Sequence, residues 1–520
     1  MEQSSSKRPS FAVSVITFIG IAVIIAFGIL QKGLGLEAHV PIACAAVFAA
    51  VVGKVVVGIT WREMEAAVVD TVFSSLGAIL ILIVIGMLVG IWMQSGVVPG
   101  LIYYGFYALS PSVFLTATLI ICSIIAVSCG SSWTVGGTVG VALIGIASGL
   151  GIPAPLAAGV IISGAYFGDK LSPLSDTTNL APIVSGSNLF DHIRAMMWTT
   201  IPTYAIVLVI TIVLGFSYGT GSHSFDINRI AAMQKILAAE FNINPIFVLI
   251  PPVVVFGLTF LKCPALPGMI AGTASACIIG LIQGCSLHDV LNAVHYGYTS
   301  TEAAKIVEAS GADLTAIMSK LDITGIDAET MHSVSSTIVE LLNRGGLDGM
   351  MSTVALIMCA LVLGGVMESC GYLSVMLSPL LYRVRRVGGF VTLVIISCFL
   401  SNLLLGDQYL SIVVPGRMFK TAVEGTSPKL SPRMLSRSLE DCGTLTGVLV
   451  PWNTCGAFQS GALGVPTLEY IPYCFMNILN PFVAIIMTYL GIGIYWGENK
   501  HDKVERRTEL VFVKEGETRV

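Results

Sequence analysis

The stretch Gly168-Asp-Lys-Leu-Ser-Pro-Leu-Ser-Asp-Thr-Thr-Asn-Leu-Ala-Pro182 sets two carboxylates, one ammonium and five hydroxyl or amide side chains in an otherwise apolar neighbourhood. The chain around it has 520 residues, 55% hydrophobic and 11% charged, where soluble domains carry roughly a quarter charged. Several apolar runs reach the ~20 residues that span a hydrocarbon core of about 30 Å. The polar stretch therefore falls at membrane depth, where each ionisable group costs at least ~2.5–3.5 kcal/mol and marks function by default. Pro173 removes a backbone donor and bends the helix, so freed carbonyls join the Ser, Thr and Asn oxygens as ligands for a hard cation such as sodium. Asp176 supplies the charge, with Asp169, Ser175, Thr177, Thr178 and Asn179 around it. Proton and sodium then compete for one carboxylate, which is antiport chemistry. The plainer roles are an Asp169–Lys170 pair and an Asp176 helix cap.

Working outward, spans read at about 11–30, 39–59, 71–93, 199–216, 245–261, 265–284, 348–368 and 470–496. The run after Lys7 and Arg8 is too long for a signal peptide and reads as the first transmembrane helix. Following Lys and Arg through single crossings puts Lys7, Arg8, Arg62, Arg194, Lys262, Arg383, Arg417, Lys420 and the tail from Lys500 on one side, the cytoplasm. The acid-rich 285–346 segment lands outside, and both termini inside. Within it Thr299 and Glu302 have capping-box spacing, and Gly345–Gly346 stop a helix. The plain role of this segment is a tether. The 12 cysteines lack any C-x-x-C pair and read as small buried hydrophobes.

The chain resembles itself. Gly86–Gly96 matches Ala360–Gly371, Gly130-Ser-Ser-Trp133 matches Gly406-Asp-Gln-Tyr409, and Leu171–Thr177 matches Leu449–Cys455, at separations of 274, 276 and 278. The first unit begins on the cytoplasmic side and the second after the external segment, so the repeats are inverted. The expected fold is an all-α polytopic membrane protein with two inverted-topology repeats, re-entrant hairpins and broken transmembrane helices. The division is 1–70, N-terminal helices; 71–185, first repeat; 186–284, linking helices; 285–346, external insertion; 347–462, second repeat; 463–520, last helix and tail. Hairpins are read at 112–148 and 389–419, because simple crossings would put Arg383 and Arg417 on opposite sides.

In the second repeat Asp407 and Gln408 occupy the hairpin tip that Ser131 and Ser132 occupy in the first, and Asn453 and Thr454 stand where Ser175 and Asp176 stand. For Asn453 and Thr454 the plainer role is interhelical packing. Glu440 and Asp441 read as helix-start acids, and Gln94 and Glu368 as solvated helix ends. His192, His295 and His332 read as loop residues without metal-ligand spacing. No ATP-binding, hydrolase or dinucleotide motif and no basic patch interleaved with aromatics occurs, so an enzyme, a bound cofactor and a nucleic-acid partner are not expected.

The string Gly164-Ala-Tyr-Phe-Gly-Asp-Lys-Leu-Ser-Pro-Leu-Ser-Asp-Thr-Thr-Asn-Leu-Ala181 resembles the signature of the NhaC family of sodium/proton antiporters. The resemblance extends to His295-Tyr-Gly-Tyr, Leu341-Leu-Asn-Arg-Gly-Gly, Gly364-Gly-Val-Met-Glu368 and Pro451-Trp-Asn-Thr454, over about residues 70–490. It implies the larger ion transporter superfamily, with paired motifs here reading Ser175-Asp176-Thr177 and Trp452-Asn453-Thr454, the acid standing in the amide position. It also implies a sodium site near Asp176, a homodimer in a bacterial inner membrane, and exchange of cytoplasmic Na+ for external H+ by alternating access. Relatives that exchange malate for lactate, or carry amino acids, make a sodium- or proton-coupled organic solute exchanger the alternative.

Overall fold

The computed structural model describes residues 8–30, 38–220, 227–381, 384–497 and 503–512. Lys7, Arg383 and Lys500, used above for sidedness, lie outside the described residues. The structure is almost entirely helical, with two short antiparallel strand pairs, Thr426–Ser427 with Val511–Phe512 and Tyr495–Trp496 with Lys503–Val504; its helices are α1 (Phe11–Leu30), α2 (His39–Val52), α3 (Trp61–Ser74), α4 (Leu76–Gln94), α5 (Val97–Ala108), α6 (Pro111–Cys129), α7 (Ser132–Val135), α8 (Val141–Gly149), α9 (Ala154–Leu171), α10 (Asp176–Ser185) and α11 (Leu189–Thr220). There follow α12 (Ile227–Glu240), α13 (Pro245–Phe260), α14 (Ala265–Ile282), α15 (Leu287–Tyr296), α16 (Glu302–Glu308), α17 (Gly311–Lys320) and α18 (Ala328–Leu342). The second half holds α19 (Met351–Ser369), α20 (Tyr372–Leu381), α21 (Val387–Leu405), α22 (Gln408–Glu424), α23 (Pro432–Thr446), α24 (Thr454–Leu463), α25 (Thr467–Tyr470) and α26 (Phe475–Tyr489).

Among the described residues nine helices are long and apolar enough to cross a membrane, or eleven if the pairs bent by 87° at α12–α13 and 54° at α25–α26 each count once. The protein is a polytopic membrane protein. Burial separates lipid-facing from interior helices: 28% of the α1 window is buried against 89% of the Ser132–Gly149 window. In that inner helix a π-helical turn, Gly136–Gly140, joins α7 to α8.

The matched strings fold into matched elements. Helix α4 ends before Gly96 and α19 before Gly371, α6 before Gly130 and α21 before Gly406, α10 before Gly186 and α24 before Gly464, and all six glycines have positive φ. Glycine suits these helix ends because the left-handed conformation costs other residues a Cβ clash. Ser131 and Asp407 both cap the second arm of a hairpin, and Ser175 and Asn453 both cap the short helix that follows. The caps pair Asp176 with Thr454, one place away from the pairing in which Asp176 meets Asn453.

Each half contains a hairpin. Helix α9 runs parallel to α6, with Gly164 against Leu119 and Gly168 against Ser123, and antiparallel to α7–α8, with Asp169 at Ser132 and Ile161 at Gly140. Likewise α23 runs parallel to α21, with Cys442 beside Cys398 and Thr446 bonded to Asn402, and antiparallel to α22, with Gly443 at Ser411 and Leu439 at Gly416. The arms of each hairpin therefore run in opposite directions along one central helix. The halves also interlock: Val184 of α10 meets Gly416 of α22, and Trp133 of α7 stacks on Phe458 of α24 with centroids 4.1 Å apart.

Several expectations need correction. The 71–93 span is broken at Ser75, and the last span ends at Tyr489, where Gly491 and Gly493 turn the chain. Thr299 forms no capping box; α16 begins after Thr301, and Glu240 of α12 accepts the Thr301 N–H at 2.6 Å and the Ser300 hydroxyl at 2.8 Å. A partner from another helix has displaced the local cap. The 285–346 segment is also more than a loose tether, since Gly346 N–H donates to Gly86 O at 2.7 Å and Arg344 Nη1 donates to Leu463 O at 2.8 Å. His192, His295 and His332 lie in α11, α15 and α18 rather than in loops.

Candidate ion site

Three features of the sequence build the site. Pro173 ends α9 and starts a short break, Ser175 caps α10 by accepting from Thr178 N–H, and Gly130 turns the first hairpin against Leu174 and Ser175. The break and the hairpin tip are thereby held together. In the second half the Thr454 N–H donates to Gly406 O at 2.8 Å, so tip and short helix meet in the same way.

Between the two tips lies a cavity of about 230 Å³. Asp169, Ser175, Asp176 and Thr177 line it from the first break, Ser131 and Trp133 from the first tip, and Gln408 and Tyr409 from the second tip. The rest of the lining includes Thr259 near the end of α13 and Lys262 in the turn between α13 and α14. Asp169 is buried and its Oδ2 accepts from Ser132 N–H at 3.0 Å and Ser132 Oγ at 2.7 Å. Asp176 is exposed to the cavity.

The other expected site residues serve beside the cavity rather than in its lining. Thr178 Oγ1 donates to Lys170 O at 3.0 Å, and Asn179 Nδ2 donates to Ser175 O at 2.7 Å, closing the break. Asp407 accepts from Tyr409 N–H at 2.8 Å, Leu410 N–H at 3.1 Å, Ser75 Oγ at 3.1 Å and Thr454 Oγ1 at 3.4 Å. Asn453 Nδ2 donates to Asn402 Oδ1 at 3.0 Å, and its own Oδ1 accepts from Cys455 N–H. Four donors on one buried acid compensate its charge, since hydrogen bonds to ionised groups contribute about 1.5–3 kcal/mol each. Ser132 reaches the site through Asp169.

Behind the cavity is a second layer. Lys170 does not pair with Asp169; its ammonium bonds the carboxylate of Asp441 in the other half, and both side chains are fully buried. Asp441 Oδ1 also accepts from Thr199 Oγ1 at 2.7 Å and Asn480 Nδ2 at 2.9 Å, and Arg437 Nε lies 3.7 Å from Oδ2. Four helices, α9, α11, α23 and α26, thus meet at one carboxylate. Glu440 beside it accepts from Thr444 at 2.8 Å. Both acids lie inside α23 rather than at a helix start, because Ser431 and Pro432 open that helix nine residues earlier. The signal was present in the sequence: Arg433, Arg437, Glu440, Asp441 and Thr444 recur at helical spacing, a polar stripe that packs inward here because lipid lies outside. Trp133, Tyr409 and Lys262 carried no such pattern.

A lipid-embedded helical body whose broken helices and paired hairpin tips enclose a polar cavity has the architecture of a secondary transporter. The sequence profile described as the Na+/H+ antiporter family matches residues 164–312 and 303–492. The chain belongs to that family. It is 37% identical to the arginine/ornithine antiporter ArcD of Halobacterium salinarum, over 94% of this chain and 94% of that protein. It is 36% identical to the Na(+)/H(+) antiporter NhaC of Alkalihalophilus pseudofirmus, over 89% and 92%, and 35% identical to the malate-2H(+)/Na(+)-lactate antiporter of Bacillus subtilis, over 86% and 88%.

Proposed function

We propose that this protein is a sodium/proton antiporter of a bacterial-type inner membrane, exchanging cytoplasmic Na+ for external H+ by alternating access. The observation that carries the reading is the cavity at the two hairpin tips, where the carboxylates of Asp169 and Asp176 stand among the oxygens of Ser131, Ser175, Thr177 and Gln408. Hard cations take oxygen ligands. A carboxylate that prefers to be neutral when unpaired holds either a proton or a sodium ion, so entry of one releases the other. Thr178, Asn179, Thr454, Ser132 and Asp407 hold the lining residues in place, and Asn453 caps the short helix beside them. The two halves, 71–185 and 347–462, act as inverted repeats, with both termini cytoplasmic, 285–346 outside and the protein a homodimer. No cofactor is needed for this exchange.

The test is Asp176→Asn in proteoliposomes with a pH-sensitive dye inside. The variant keeps shape and hydrogen bonding, so it is expected to fold and to lose sodium-driven proton movement. Normal exchange by a well-folded variant overturns the role of Asp176. A second reading, coupled exchange of a small organic acid or amino acid, is favoured by the cavity volume. About 230 Å³ holds roughly eight waters at ~30 Å³ each, far more than a bare ion needs.

A further inference from the structure

The cavity carries charge of both signs. Asp169 and Asp176 line it, and Lys262 is the one cationic side chain among the lining residues. Lys262 belongs to neither repeat. It sits in the four-residue turn between α13 and α14 with a left-handed backbone, φ 62°, held by its N–H donating to Thr259 O at 2.9 Å and by Cys263 N–H donating to Leu258 O at 3.0 Å. Pro264 then caps α14, so the turn is stiff on both sides of the lysine. A non-glycine residue held at positive φ is a local cost that the surrounding bonds over-determine, and such cost concentrates at functional positions. For a cavity that takes only cations, a fixed ammonium on the wall is unfavourable; for a ligand with a carboxylate it is the natural counter-charge.

We propose that Lys262 anchors the carboxylate of a small organic co-substrate, while Asp169 and Asp176 in the same cavity hold the cation or an ammonium group of that solute. The ligand class is a carboxylate of about six to eight non-hydrogen atoms, matched to a space of roughly eight waters. Trp133 and Tyr409 face it as apolar walls with polar tips. Lysine acts here as a compact point charge and is exposed, whereas Asp169 in the same lining is buried.

This inference rests on the cavity's being the transport site. The experiment measures sodium flux into proteoliposomes with and without L-lactate, L-serine or succinate on the opposite side, for the wild type, Lys262→Gln and Lys262→Arg. The expected result is stimulation of wild-type flux by at least one of these probes, lost in Lys262→Gln and partly kept in Lys262→Arg. The half-saturating probe concentration should rise about tenfold or more without the charge, the scale of one charge-assisted hydrogen bond. Stimulation that survives unchanged in Lys262→Gln overturns the anchor. Wild-type sodium/proton exchange that no carboxylate alters also overturns it and leaves the antiporter reading standing. Absence of sodium flux under every condition defeats the transport reading itself, so the two failures are told apart by the wild type alone.

Discussion

Gly168→Ala is the sharpest structural test, because it adds one methyl group where α6 and α9 touch. A Cβ on Gly168 would lie 2.4 Å from Ser123 O, 2.5 Å from Ala126 Cβ and 2.6 Å from Val127 N. Ordinary contact begins near 3.4 Å, so α6 must withdraw by about 1 Å, and the obstruction is backbone that cannot rotate away. Overpacking of this kind costs about 1–3 kcal/mol. The neighbouring residue is Asp169, whose bonds to Ser132 at 2.7 and 3.0 Å tie the hairpin tip to the cavity, so the displacement is felt at the site as well. Gly257→Ala is the control: a Cβ there meets nothing within 4 Å inside helix α13, and alanine favours a helix by up to about 1 kcal/mol over glycine. Unfolding of both purified variants in a detergent titration, with sodium affinity measured on the folded fraction, should move them in opposite directions, Gly168→Ala losing stability and affinity together. Equal stability of the two variants refutes the parallel α6–α9 contact as the support of the site.

Asp441→Asn should destabilise more than Lys170→Met, by about 3–5 kcal/mol against a smaller loss, because it strands two buried cations, whereas Asp441 without Lys170 keeps Thr199, Asn480 and Arg437. The same detergent titration checks the order, and additive losses in the double variant would argue against a direct pair. Asn453→Ala should lower stability by about 1 kcal/mol through loss of a cap and leave sodium affinity nearly unchanged, since Asn453 bonds Asn402 and Cys455 beside the cavity; a large affinity change would make it a ligand. In a cysteine-depleted background, Glu308→Cys should react with an impermeant maleimide on intact cells and Lys503→Cys should not, both positions being exposed; the reverse labelling overturns the inverted arrangement.

Much of this was legible in the amino-acid order, since a lipid solvent makes hydropathy a direct reading of which segments are embedded. The apolar runs, the polar break at 168–182 and the three collinear matches each follow from local chemistry: proline ends a helix, glycine permits the turn, and serine, aspartate or asparagine caps the next helix. Those same residues became the caps and hairpin turns of both halves. Pairing across the chain was not legible. Lys170 looked toward its neighbour Asp169 but bonds Asp441, 271 residues away, and Glu440 and Asp441 read as helix-start acids although they lie buried inside α23. Lys262 read only as one of the positive charges of the cytoplasmic side and lines the cavity. The physical reason is that spacing along a chain constrains only neighbours within a turn or two, whereas a buried charge must find its partner wherever packing brings one, and that choice belongs to the tertiary structure.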